Sequence, residues 1–171
     1  MIYFEVNQTQ TANYGLPVRA VRRVLKGTWD AIGLHWQKEF LPRHFKIGAA
    51  ARYGYKDRTR KTIIRKMKLA AKGKVAKSGR VDLVWSGVME RALTGFRQRQ
   101  SAYPTRVTIH LAGPSYLKIN YKPNRPHLAQ EVLAVSGDER QALTQTGHDE
   151  MFKLLEWEAK RNATSKRIKA K

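Results

Sequence analysis

Between Val18 and Phe40 the large apolar residues fall at steps of three and four: Val18, Val21, Leu25, Trp29, Ile32, Trp36 and Phe40. At about 100° per residue these side chains line one stripe of a helix, whereas a strand would scatter them over both faces. A stripe this long has to be covered, so the chain must build a core against it. Pro17 suits a first helical position, where its missing N–H has no partner to lose, and Pro42 pushes the residue before it out of the α region. The spacing predicts one amphipathic helix over Pro17–Leu41, buried through Trp29, Ile32 and Trp36. Gly27 and Gly33 weaken it slightly and mark places for close packing.

Extended segments lie on either side. Ile2–Val6 is β-branched and aromatic and reads as a short strand. Thr105–Ala112 alternates Val107, Ile109 and Leu111 against Thr108 and His110, and Tyr116–Lys122 alternates in the same way. The Gly113-Pro114-Ser115 turn between them predicts a β-hairpin. Glu131–Val135 reads as a further strand, and Ser86 as the cap of a short helix through Leu93. Ser136-Gly137-Asp138-Glu139 has the spacing of a capping box, which opens a final helix towards Lys160. The expected fold is α+β: a long N-terminal amphipathic helix and a C-terminal helix packed on a small, mainly antiparallel sheet. The 171 residues, 42% of them hydrophobic, suit one domain. That domain is expected over 1–161, with a basic loop or arm inserted at about 52–80 and a basic, flexible tail at 162–171.

Charge narrows the partners. Thirty-four Lys and Arg stand against thirteen Asp and Glu, a net charge of +21. Such an excess repels itself in a compact state and attracts polyanions, whether nucleic acid, an anionic membrane or acidic protein. The membrane ranks last, because the most basic stretch is poor in large apolar residues. Arg52–Arg80 holds twelve basic residues and one acid, Asp57. Within it Thr62–Lys72 carries helical spacing, with Ile63, Ile64, Met67 and Ala71 as a thin apolar face, and Gly73–Gly79 reads as an exposed mobile loop. The predicted polyanion or partner contacts are Arg52, Lys56, Arg58, Arg60, Lys61, Arg65, Lys66 and Lys68. Tyr53 and Tyr55 interleave with them, either to stack on bases or to anchor the segment in the core. No base-reading signature accompanies the block.

Catalytic constellations are missing from the sequence. There is no phosphate-cradling glycine loop, and with no cysteine there are no disulfides or thiolate metal sites, which fits a reducing compartment. His35, His44, His110, His127 and His148 lack the spacing of a helical metal pair and read as structural or surface groups. Glu131, Asp138, Glu139, Asp149, Glu150, Glu156 and Glu158 read as a solvated helix face. No catalytic, cofactor-binding or metal residue is assigned, and the chain is not expected to be an enzyme.

Several segments follow one another in a suggestive order: His35–Phe45 (HWQKEFLPRHF), Arg52–Tyr55 (RYGY), the basic run, Asp82–Leu93 (DLVWSGVMERAL) and Glu131–Glu139 (EVLAVSGDE). The order resembles the tail-completion and head–tail joining proteins of tailed bacteriophages, and Ser86-Gly87 to Ala92-Leu93 is similar to an element of the wider virion-morphogenesis families. The resemblance implies a structural virion protein at the neck or tail end, assembled in the host cytoplasm as part of a ring around the DNA channel. Its partners would be other neck and tail proteins, copies of itself and, non-specifically, the DNA, with no cofactor and no membrane. The alternative is a basic RNA-binding or ribosome-associated protein, and an RNA-cleaving toxin is a third reading.

Overall fold

The computed structural model describes residues 2–5, 16–55, 58–73, 87–95, 97–114 and 128–169, with side chains from 16 to 163. The elements are β1 (Ile2–Glu5), α1 (Val18–His35), α2 (Ala49–Tyr53), α3 (Arg60–Ala71), α4 (Val88–Thr94), β2 (Arg99–Ala102), β3 (Arg106–His110), α5 (Leu128–Val132) and α6 (Gly137–Lys169). They make an α+β fold with a long helix near each end of the sequence. The chain groups into two compact units: 1–35 with 100–110 and 141–171, and 36–99 with 111–140.

The first unit holds the sheet, in the order β1-β3-β2. β1 pairs antiparallel with β3, Ile2 opposite Ile109 and Glu5 opposite Arg106. As the central strand, β3 buries Val107, Thr108 and Ile109 in succession, so both of its faces are covered. Its hairpin partner is β2, joined by a turn in which the Tyr103 N–H donates to the Arg106 carbonyl. The expected hairpin ran forward to Tyr116–Lys122, a segment outside the described residues. Arg99–Ala102 has little β propensity and was invisible to pattern, because pairing with β3 supplies what composition does not.

α1 carries neighbours on opposite sides. One side meets the sheet: a Cβ on Gly33 would lie 2.9 Å from Val107 Cγ2. Beside it the Trp29 indole N–H donates to the Pro104 carbonyl at 3.2 Å, and the Gln100 amide donates to the Asp30 carbonyl at 3.0 Å. The other side meets α6, where a Cβ on Gly27 would lie 2.7 Å from Leu154 Cδ1 and one on Gly147 would lie 3.0 Å from Ile32 Cδ1. Arg23 also donates two hydrogen bonds to Glu158, at 2.7 and 2.9 Å. Covering this small-residue side buries Ala20, Val24 and Thr28, whereas Val18 at the head of the predicted stripe is 69% exposed. The C-terminal helix thus meets α1 where it was expected to meet the sheet.

The predicted single helix to Leu41 changes pitch. After His35 the chain widens into a π turn over Trp36–Phe40 and tightens into a 3₁₀ turn over Leu41–Phe45, with Pro42 in its first turn. Proline removes one N–H and crowds the carbonyl four residues back, so the backbone meets it by changing hydrogen-bond register without ending.

In the second unit Trp36, Leu41, Leu93 and Val132 are almost wholly buried. Gln98, also buried, closes the end of α4: its amide donates to the Ala92 and Leu93 carbonyls at 3.1 and 3.0 Å, and its Oε1 accepts from Ala112 N–H at 2.6 Å. α4 is capped by Gly87 at φ 73°, not by Ser86, which lies outside the described residues. Glu131–Val135, expected as a strand, is instead the end of α5 and the turn after it, because a short apolar run fits helix and strand equally until its neighbours are known. The capping box forms as expected: Glu139 N–H donates to Ser136 Oγ at 3.4 Å and Ser136 N–H to Glu139 Oε2 at 3.3 Å. α6 then continues to Lys169, through the segment expected to be a frayed tail. Residues 162–169 are mostly Ala, Lys, Arg and Ser, which tolerate or favour helix.

Candidate functional site

The basic segment is largely helical. Gly48 and Gly54, at φ 85° and 62°, bracket α2, and Arg52 is exposed on it. Thr59 caps α3 by accepting the Thr62 N–H at 3.4 Å. The first turn of α3 has Arg60 and Lys61 and no acid, which opposes the helix dipole. A local preference is therefore overridden to keep cations there.

At about 100° per residue, α3 sorts into three stripes. Thr62, Lys66, Leu69 and Ala70 turn inward, with Lys66 only 5% exposed. Lys61, Arg65, Lys68 and Lys72 form an exposed basic ridge, continued by Arg60. Beside it Ile63 and Ile64 are 43% exposed and Met67 is 59% exposed. The helix is inverted, with its apolar residues outward and a lysine inward. An open depression of about 570 Å³ runs along the ridge, with Ile64 and Leu69 as its apolar lining. None of the five ridge cations pairs with a carboxylate among the described residues.

Two predicted contacts leave this surface. Arg58 is turned inward onto Glu131, with donor–acceptor distances of 3.0 and 2.5 Å, and their side chains are 11% and 8% exposed. Lys66 is buried, and Lys56 lies outside the described residues. Arg52, Arg60, Lys61, Arg65 and Lys68 are exposed as predicted, though Arg52 sits on α2. Lys72 was missed, and extending the α3 stripe by one turn from Lys68 would have found it. The predicted acidic face is corrected too: Glu131, Glu139 and Glu158 are buried, each with a partner distant in sequence.

Tyr53 and Tyr55 belong to the core. His44, fully buried, stacks on Tyr53 with ring centroids 3.9 Å apart, and its Nδ1 lies 2.5 Å from the Tyr55 hydroxyl. Tyr53 donates to Glu139. Burial pushes both phenols above their ordinary range, and the Glu139 bond pushes Tyr53 further. A retained Tyr55 proton donates to Nδ1, so the neutral His44 ring carries its own proton on Nε2. Nε2 faces the Glu131 backbone carbonyl, outside strict hydrogen-bond geometry. Burial lowers the His44 pKa to about 4, with the Glu131 backbone opposing weakly. A histidine whose folded value lies below its ordinary ~6.5 takes up its proton more readily when unfolded. Its contribution is complete above pH 6.5 and is lost as pH falls from 6.5 towards 4, by about 3 kcal/mol. Denaturation midpoints at pH 7 and 4.5 should therefore converge in His44→Asn relative to the wild type. An equal acid sensitivity in both proteins would show that His44 is not the group responsible.

The chain matches no known protein family, curated protein or solved structure. Among the described residues no group of three or more His, Asp or Glu could hold a metal ion, and no helix is long and apolar enough to cross a membrane.

Proposed function

We propose that this chain is a structural protein of a tailed-phage virion, at the head–tail junction or tail end, forming part of a ring around the DNA channel. The observation that carries the reading is the exposed ridge of Arg60, Lys61, Arg65, Lys68 and Lys72, unpaired among the described residues and set beside exposed aliphatic side chains. The order of segments from His35 to Glu139 supports the same reading. A ridge of this kind serves assembly through many weak charge contacts, each screened by salt.

Replacing the five ridge cations with glutamine should leave the thermal melt within about 1 kcal/mol of the wild type, because exposed charges contribute little. Arg58 and Lys66 are kept, since both are turned inward. The variant should fail to join heads to tails, leaving both unattached in electron micrographs of the lysate. Normal infectious particles from a lysate lacking the gene would overturn the proposal. Tight binding of one short RNA, retained at high salt, would favour the RNA-binding alternative.

A further inference from the structure

A second surface answers the one on α3. On α6, Asp149, Phe152 and Glu156 fall at steps of three and four and point outward, opposite the stripe of Leu143, Gly147, Leu154 and Glu158 that turns inward. Phe152 is 57% exposed and Trp157, beside it, is 54% exposed with the Arg161 guanidinium stacked 5.2 Å from its ring centre. Asp149 accepts only a neutral amide, from Gln145 at 2.8 Å, and Lys153, which flanks the stripe, is tied to Glu150 at 3.3 Å. In a chain of net charge +21, an outward stripe of acid, aromatic and acid is as anomalous as the inverted α3.

From this complementarity we infer that the outward face of α3 docks on the outward face of α6 from a second copy of this chain. The basic ridge at Lys61, Arg65 and Lys68 meets the carboxylates of Asp149 and Glu156, and Ile63 and Met67 cover Phe152. Nucleic acid would satisfy the cations but leave the aliphatic residues against phosphate, and stacking on bases needs aromatic side chains, which α3 lacks. Because the two faces differ, the contact is heterologous, and repetition closes a ring or extends a filament. The inference rests on the proposed ring role, for which it supplies the interface. Net charge opposes the contact at long range, but at about 0.15 M ionic strength the repulsion is screened beyond roughly 8 Å.

The absence of native cysteine allows a direct test on the full chain. Met67→Cys and Phe152→Cys proteins are mixed at that ionic strength and oxidised, with and without a short duplex DNA. The mixed 67–152 disulfide should exceed both homodisulfides at least ten-fold. Lys61→Glu with Arg65→Glu on the first protein, or Asp149→Lys with Glu156→Lys on the second, should each abolish that excess, and combining the two reversals should restore it. A statistical mixture of the three disulfides, or an excess indifferent to charge reversal, overturns the inference. Loss of DNA or phosphatidylserine-vesicle binding in the Lys61→Glu, Arg65→Glu protein, with a statistical disulfide mixture, assigns α3 to that ligand and also overturns it. A statistical mixture beside failed head–tail joining in the glutamine variant removes this interface and leaves the virion role standing.

Discussion

Replacing Trp36 with alanine is expected to lower the unfolding free energy by about 3–5 kcal/mol, the range for removing a large aromatic ring from a packed core. Trp36 is fully buried in the second unit, and its ring centre lies 6.4 Å from that of His44. Its indole N–H is buried without a hydrogen-bond partner among the described residues. Trp36→Phe should therefore cost much less, because it keeps most of the volume and removes a polar group that gains nothing from burial. Urea denaturation of the three proteins at one pH measures both effects. An unchanged midpoint for Trp36→Ala would place the ring outside the core.

Arg58→Ala should be similarly damaging, by about 3–5 kcal/mol, because it leaves the Glu131 carboxylate buried without its cation. The double substitution Arg58→Met with Glu131→Leu should recover most of the loss, since well-packed apolar residues can replace a buried ion pair at little cost. An exposed arginine of the basic block would change stability by no more than about 1 kcal/mol. The size of the effect therefore separates an inward Arg58 from the surface contact that its neighbours in sequence suggest. A small loss in Arg58→Ala, or no recovery in the double variant, would show that the pair is not buried in solution.

Legibility varied with the range of the interaction. The capping box of Ser136 and Glu139 spans three residues, and both of its hydrogen bonds could be anticipated from the sequence. Glu139 also accepts from Tyr53, 86 residues away, and nothing in the local pattern announces that bond. Tyr53 and Tyr55 were open between stacking on bases and anchoring the core, and their place around His44 decides for the core.

The candidate surface divides in the same way. The ridge on α3 follows from spacing once the segment is known to be helical. Which side of that helix faces the protein does not follow, because an apolar stripe predicts burial only when an apolar neighbour is present to cover it. Here Ile63, Ile64 and Met67 are outward and Lys66 inward, so the usual inference from hydrophobicity to burial runs backwards.

By itself, then, the sequence determined what depends on neighbours a few residues apart. This includes the helical spacing from Val18, the extended β1 and β3, the capped start of α6 and a charge excess that demands anionic partners. Tertiary structure alone decided the pairing of β2 with β3, the helical state of α5, the pitch change at Trp36, and the inward turn of Arg58, Lys66, Glu131 and Glu158. The reason is energetic: a short apolar run or a single charge has near-equal local options, and the choice falls to partners that the fold brings together, 73 residues apart for Arg58 and Glu131 and 135 for Arg23 and Glu158.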